Sequence, residues 1–403
     1  MLMPIPSQTI RGATRLAFDY VEGVTDTVEK MHETIARRPL PWNSSPRHRG
    51  NAHGQIAASV YRTIRGVNDG LRKISDQGLA LLPAASAGRE TRAEVQALAT
   101  LNGICGDHLE ETGNPLAISM RFFTPHRRVE PTRQGLQSAF PEATPHLVVF
   151  VHGLCLSEFS WQRSGRPGVG SRLQRDRGET PVYLRYNTGR HISTNGRELA
   201  TQLERLCRNW PVAVESLSLI GHSMGGLVIR SACWYGDRGS RQWLDRLRRI
   251  VCLGTPHHGA PLEQAGHLFD AALTRNPYIE PLLFGRQRSA GIKDLRYGNL
   301  LDEDWRDSDK NIAGRDNRRP VPTIAGVDYF FIAATVGRDE HDLRGHVLGD
   351  LLVRMDSATG SHRDALKHIE LEPENSRVFH GMNHFGLLDD ERVQQQVVDW
   401  FSR

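Results

Sequence analysis

The sequence predicts an α/β protein: a mostly parallel, doubly wound sheet with a cap insertion and an N-terminal helical region. Three observations predict it. From about residue 113 onward, short apolar runs alternate with helical patterns, the arrangement of successive βα units. One run, Leu147–Val151 (LVVFV), is apolar at every position, as a strand buried on both faces must be. Residues 1–112, by contrast, carry helical periodicity only.

The N-terminal stripes are one-sided. Val21, Val24, Val28, Met31 and Ile35 recur at spacings of 3 and 4, and so do Val60, Ile64, Val67, Leu71 and Ile74. A Pro/Gly/Ser/Asn-rich connection separates them, and a third helix is expected over about 90–109. The two stripes suit a helical hairpin packed on itself or on the rest of the chain. A dimer seam or a membrane-facing amphipathic surface is the alternative.

In the second part, Ala117–Phe123 reads as an early strand and Val182–Tyr186 as a strand following LVVFV. Asn195 is suited to cap a helix, with Glu198 three residues later, running to about Trp210. Leu217–Ile220, Ile250–Leu253 and Tyr329–Ala334 read as further strands, and residues 391–401 as a closing helix. The interval from Leu253 to Tyr329 is far longer than a crossover needs and carries Phe269, Tyr278, Phe284 and Tyr297. A cap at about 260–325 is therefore expected. The expected organisation is 1–112 helical and 113–403 sheet-bearing with that cap.

Composition narrows the function classes. The 403 residues are 38% hydrophobic and 24% charged, a soluble globular balance long enough to bury a core without disulfides or metal. No run of 18 apolar residues is present, and the first twenty lack the apolar region of a secretory signal. Five cysteines at unrelated spacings fit reduced thiols, so a cytoplasmic location is expected. The net charge of +5 is dispersed rather than gathered into a nucleic-acid footprint; weak attraction to an anionic membrane surface stays open. Oligomeric state is not legible.

The chemistry gathers around Gly221-His222-Ser223-Met224-Gly225-Gly226, directly after LSLI and directly before LVIRSA. This is G-x-S-x-G between a strand and a helix, a turn that exposes a serine hydroxyl at a helix head. A serine hydroxyl needs a base, an orienting acid and an oxyanion hole. His152-Gly153 ends LVVFV, so the Leu154 amide can face a developing oxyanion, with the Met224 amide as second donor. For the acid, Asp339, Asp342, Asp350 and Asp356 qualify by position; Asp350, between Gly349 and an apolar segment, is chosen over the charged surroundings of Asp339 and Asp342. For the base, His384 before Phe385-Gly386-Leu387-Leu388 is chosen over His380. The chain order Ser223, Asp350, His384 is the order this kind of turn expects. His257-His258 lack a partner motif for a metal and read as site lining or loop packing.

These motifs carry a resemblance. VHGL at 151–154, GHSMGG at 221–226, LGTPHHG at 253–259, GDLLV at 349–353 and NHFGLL at 383–388 are similar to those of α/β-hydrolase serine esterases and lipases. Together with LNGICGDHLEETGNPLAISMRF at 101–122 and YNTGRHISTNG at 186–196, they resemble a bacterial branch of the GPI inositol-deacylase-like hydrolases. The resemblance implies the α/β-hydrolase fold and hydrolysis of carboxylic esters, with lipid-like acyl chains and no cofactor or metal. It implies Ser223 as nucleophile, His384 as base, Asp350 as acid, and the Leu154 and Met224 amides as oxyanion donors. Two positions depart from the relatives: Leu351 stands where many carry Gly, and Gly386 where secreted lipases carry a calcium-site Asp. An acyltransferase on the same residues, or a non-catalytic scaffold with this fold, is the alternative.

Overall fold

The structure, a computed structural model, describes residues 7–37, 62, 65–73, 75–76, 90–162, 167–260, 288–306, 316, 318–339, 350 and 352–403. They fall into two compact units. One holds the described residues up to Thr91 together with His108–Ala117; the other holds Arg92–Asp107 and the described residues from Ile118 onward.

In the first unit, helix α1 (Ser7–Arg37) covers the first stripe and helix α2 (65–73) part of the second. Polar groups join this part of the chain to α1. Arg15 pairs with Asp76 at 2.7 Å, Arg65 with Asp26 at 2.6 Å, and the buried Asn68 amide donates to Phe18 O at 3.0 Å. Val21, Val67 and Leu71, the described stripe members with described side chains, remain exposed. The expected packing of the stripes does not hold for these three; the side chains of the other stripe members lie outside the described residues. Periodicity shows that a helix has an apolar face, and not which face its neighbour takes. Among the described residues no helix is long and apolar enough to cross a membrane.

Helix α3 (Arg92–Glu111) is kinked at Cys105, where φ is −140°. The second unit then builds an eight-stranded sheet. Strands β1 (Arg121–Phe123) and β2 (Arg128–Val129) are followed by helix α4 (Arg133–Ala139), β3 (His146–Val151), α5 (Val169–Arg177) and β4 (Thr180–Arg185). Next come α6 (Ile192–Asn209), β5 (Ser216–His222), α7 (Met224–Arg238) and β6 (Leu247–Leu253). Then follow α8 (Ala290–Tyr297), α9 (Asp302–Arg306), β7 (Asp328–Thr335), α10 (Met355–Ala358), β8 (Ser376–His380) and α11 (Glu391–Trp400). The strand order is β2-β1-β4-β3-β5-β6-β7-β8. The run from β4 to β8 is parallel, and β1 joins β4 and β2 antiparallel.

Alternate residues of β3 feed the two faces. Leu147, Val149 and Val151 join one core with Leu199 and Leu203 of α6 and Leu227 and Val228 of α7. Val148 and Phe150 join the other with Val169 and Leu173 of α5 and Val393 and Val397 of α11. Burial on both faces is why these strands read as unbroken apolar runs. β8, with sequence SRVFH and side chains half-buried or exposed, carries no such run and escapes sequence reading. The early strand is only three residues long. Asn195 does not cap α6: the helix starts at Ile192, and the buried Asn195 amide donates to Asn187 O at 2.9 Å. Phe269, Tyr278 and Phe284 lie outside the described residues, while Tyr297 ends α8 exposed. All five cysteines are free thiols, and burial pushes Cys155, Cys207 and Cys252 up to about 12.

Glu179, entering β4, is buried, and its Oε2 has no hydrogen-bond partner among the described residues. Desolvation pushes its carboxyl up to about 7, against a smaller opposing pull from Arg249. Below the ordinary value of 4.5, folded and unfolded chains both hold the proton. Between there and about 7 only the folded chain keeps it, so stability falls as pH rises through this window and levels off above it. The loss is at most about 3 kcal/mol. Glu179→Gln is expected to flatten the dependence, measured by urea unfolding of both proteins from about pH 4 to 8. An equal slope in the variant would show that Glu179 is not its source.

Candidate active site

β5 delivers its last residue, His222, to the sheet's carboxyl edge, and Ser223 makes the turn into α7. Ser223 sits at φ 54° and ψ −124°, a conformation that costs a non-glycine residue about 1–3 kcal/mol. The turn is possible because Gly225 has no side chain: a Cβ there would overlap Val151 O at the end of the neighbouring β3. The Ser223 N–H donates to Leu253 O at 2.8 Å, tying the elbow to the end of β6.

Asp350 follows β7 and is fully buried. Its Oδ1 accepts the N–H groups of Leu352 at 3.0 Å and Val353 at 2.7 Å. That leaves Oδ2 for Nδ1 of His384, at 2.6 Å, and the His384 N–H donates to Asp350 O at 3.2 Å. His384 opens a short 3-10 turn capped by Asn383, whose Oδ1 accepts the Gly386 N–H at 3.0 Å. The imidazole also packs on Gly254, the residue after β6, where φ is 59° and a Cβ would press on the ring. Gly254 thus serves twice, in a backbone conformation that favours glycine and in a contact that excludes a side chain.

Ser223 and His384 border one pocket. Its other walls are mostly apolar: Leu154, Leu156, Pro256, Leu295 and Phe385 among them. Leu154 thus reaches the pocket by the predicted loop, and Met224 is the first residue of α7, where backbone N–H groups have no intrahelical acceptor. The structure therefore brings Ser223, His384 and Leu154 around one pocket, with Asp350 behind the imidazole and Met224 at the helix head. Among the rival acids, Asp339 and Asp356 are exposed, and Asp342 lies outside the described residues, as does Leu351. His380 ends β8 opposite Thr335.

Several supporting residues were not singled out from sequence. The Tyr186 hydroxyl donates to His152 O at 2.8 Å, and Thr188 Oγ1 accepts the Cys155 N–H at 3.2 Å. Both belong to the YNTG stretch and pin the loop that carries Leu154. The only sequence signal was that stretch's resemblance. His222 Nε2 donates to His384 O at 3.2 Å, with the two rings 4.8 Å apart. Its position inside the GHSMGG motif was visible, its partner was not. Burial pushes His152 down to about 4, so it is neutral at pH 7 and no proton carrier there. His257 stacks on Phe331 at 4.1 Å and the His258 Nε2–H donates to Gly360 O at 3.0 Å; both border a different cavity. Among the described residues no group of three or more His, Cys, Asp and Glu could hold a metal ion.

A mostly parallel sheet flanked by helices, with a strained serine between β5 and α7, an acid after β7 and a histidine after β8, is the α/β-hydrolase fold. The PGAP1-like alpha/beta domain family matches residues 142–280, a stretch that includes Leu154 and Ser223 but neither Asp350 nor His384. No curated protein matches the chain. Among solved structures, the mature lipase BlEst2 of Bacillus licheniformis is similar at 18% identity and TM-score 0.41, over 64% of this chain and 91% of that one. Aspergillus fumigatus lipase B is similar at 11% and TM-score 0.40, over 69% of this chain and 59% of its own. The Pyrococcus furiosus esterase Pf2001 is similar at 16% and TM-score 0.37, over 65% and 83%.

Proposed function

We propose that the protein is a serine hydrolase of carboxylic esters, working through an acyl-enzyme on Ser223. The observation that carries this reading is the Asp350–His384 pair, 2.6 Å apart and buried, beside a strained serine that shares a pocket with the imidazole. In the proposed reaction His384 Nε2 takes the Ser223 proton as Oγ attacks the ester carbonyl. The amides of Leu154 and Met224 face the oxyanion. His384 then returns the proton to the leaving alcohol, and the acyl-serine forms. Water attacks the acyl-serine with His384 again as base, releasing the acid and restoring Ser223.

The substrate is proposed to carry an apolar acyl chain, as a lipid does. Support comes from the pocket walls, where Leu154, Leu156, Leu295 and Phe385 surround the serine. The proposed branch is that of the GPI inositol-deacylase-like hydrolases, supported by the family match over 142–280 and by the motifs that extend past it. The test has two parts. A fluorophosphonate probe is expected to label Ser223, mapped by peptide mass spectrometry; an unlabelled, folded protein would refute the hydrolase reading. Rates on p-nitrophenyl acetate through laurate are expected to rise with chain length. Each buried methylene contributes up to about 0.8 kcal/mol, close to fourfold in kcat/KM until the pocket is full. A profile flat or falling from acetate would remove the lipid-like substrate and leave the esterase.

A further inference from the structure

Pro256 borders the Ser223 pocket, and the next two residues, His257 and His258, border a second cavity of about 340 Å³. That size lies within the range of about 300–1,000 Å³ for small-molecule sites. Its most telling wall is Arg230, on α7 and only 7% exposed. Arginine keeps its charge in proteins, and a buried charge without a counter-charge is costly. Among the described residues no carboxylate pairs with Arg230. Its guanidinium has two partners there, Val321 O at 2.9 Å and His257 Nδ1 at 3.3 Å.

The second contact fixes a tautomer. Arginine only donates, so His257 Nδ1 must accept, and the ring proton sits on Nε2. Nε2 is buried and has no hydrogen-bond partner among the described residues, which leaves a donor without an acceptor. Further cations border the cavity: Arg318, Arg319 and Lys367. Asp316 pairs with Arg318 at 2.7 Å and Lys367 at 3.1 Å, and wider pairs join Arg319 to Glu303 at 3.7 Å and Lys367 to Asp364 at 3.9 Å. The carboxylate of Asp304, also in the wall, is taken up by the N–H groups of Leu300, Leu301 and Arg319. Glu370 is exposed. The cavity therefore has at its inner wall a buried guanidinium with no carboxylate partner among the described residues, while the outer cations are held in ion pairs.

We propose that this cavity binds a phosphate-bearing ligand, with Arg230 as its buried counter-charge and Arg319 and Lys367 contributing further out. A phosphoryl group supplies three acceptor oxygens and a charge of about −1.5 to −2 at pH 7, which suits several cations better than a single carboxylate does. The phosphate can belong to a soluble phosphoester or to a lipid headgroup, and the experiment separates the two.

Full-length protein would be titrated by calorimetry with inorganic phosphate and with glycerol 3-phosphate, at ionic strength held constant with NaCl. In parallel, co-flotation would be measured with phosphatidylcholine vesicles, with and without phosphatidic acid. Saturable 1:1 binding of a soluble phosphate supports the site with a free phosphoester as its ligand. Binding confined to vesicles with phosphatidic acid supports it with a headgroup. In either case Arg230→Gln is expected to weaken binding at least about tenfold, as loss of a charged hydrogen-bond partner does. The Arg319→Gln/Lys367→Gln double variant is expected to weaken it about twofold to tenfold. No saturable binding of any probe would overturn the proposal, as would unchanged binding in a folded Arg230→Gln protein. Should circular dichroism show that Arg230→Gln does not fold, the double variant decides, and undiminished binding there overturns it. None of these readouts depends on ester hydrolysis, so the site and the proposed activity can fail separately.

Discussion

Asp350→Asn is expected to lower kcat for ester hydrolysis by about 10³–10⁴-fold, the scale seen when a triad imidazole is held in the wrong tautomer. The structure says why an isosteric change should cost so much. The N–H groups of Leu352 and Val353 both point at Oδ1, so in the variant the amide oxygen is fixed at that position. The NH₂ group must then face Nδ1 of His384, where the carboxylate oxygen now sits at 2.6 Å. Nδ1 becomes the acceptor, Nε2 carries the proton, and the ring cannot take one from Ser223. Asp339→Asn, at an exposed position, is expected to stay within about twofold of wild type, as surface substitutions do. The measurement is kcat and KM on one p-nitrophenyl ester for each protein. Equal losses at 339 and 350, or a loss under tenfold at 350, would displace Asp350 from the acid's role.

Ser223→Ala is expected to reduce kcat by on the order of 10³-fold or more, with the fold intact. Alanine keeps the Cβ and removes only the attacking oxygen, so the elbow contacts remain: the backbone bond to Leu253 O and the close approach of Gly225 to Val151. The strain at φ 54° is common to both residues, so the melting temperature is expected to shift by only a few degrees, corresponding to about 1 kcal/mol or less. Activity, fluorophosphonate labelling and thermal melts measured on the same preparation separate a chemical loss from a folding one. Hydrolysis within tenfold of wild type would mean that another group attacks the ester.

Much of the sheet was legible because its signal is local. LVVFV, the strands at 217–220 and 250–253 and the run at 329–334 are buried on both faces, and neighbouring residues alone reveal that. The elbow was legible for the same reason, since strand, turn and helix head lie within a dozen consecutive residues. Asp350 and His384 were legible as candidates by order along the chain; their hydrogen bond spans 34 residues and depends on β7 and β8 lying side by side. β8 itself was invisible, as an edge strand with partly exposed side chains.

The sequence by itself determined the α/β class, most strand positions, the strained serine turn and the order of the three candidate side chains. Tertiary structure alone decided which carboxylate meets the imidazole, that Tyr186 and Thr188 hold the Leu154 loop, and that Arg15 and Asp26 of α1 pair with Asp76 and Arg65. It also decided that Arg230, on a helix that reads as ordinary core, borders a cavity with no carboxylate partner among the described residues. The reason is physical. Periodicity reports which side of an element avoids water, a property of neighbours a few residues apart. The partner of a polar group is set by which elements end beside each other, and that follows from the strand order of the whole sheet.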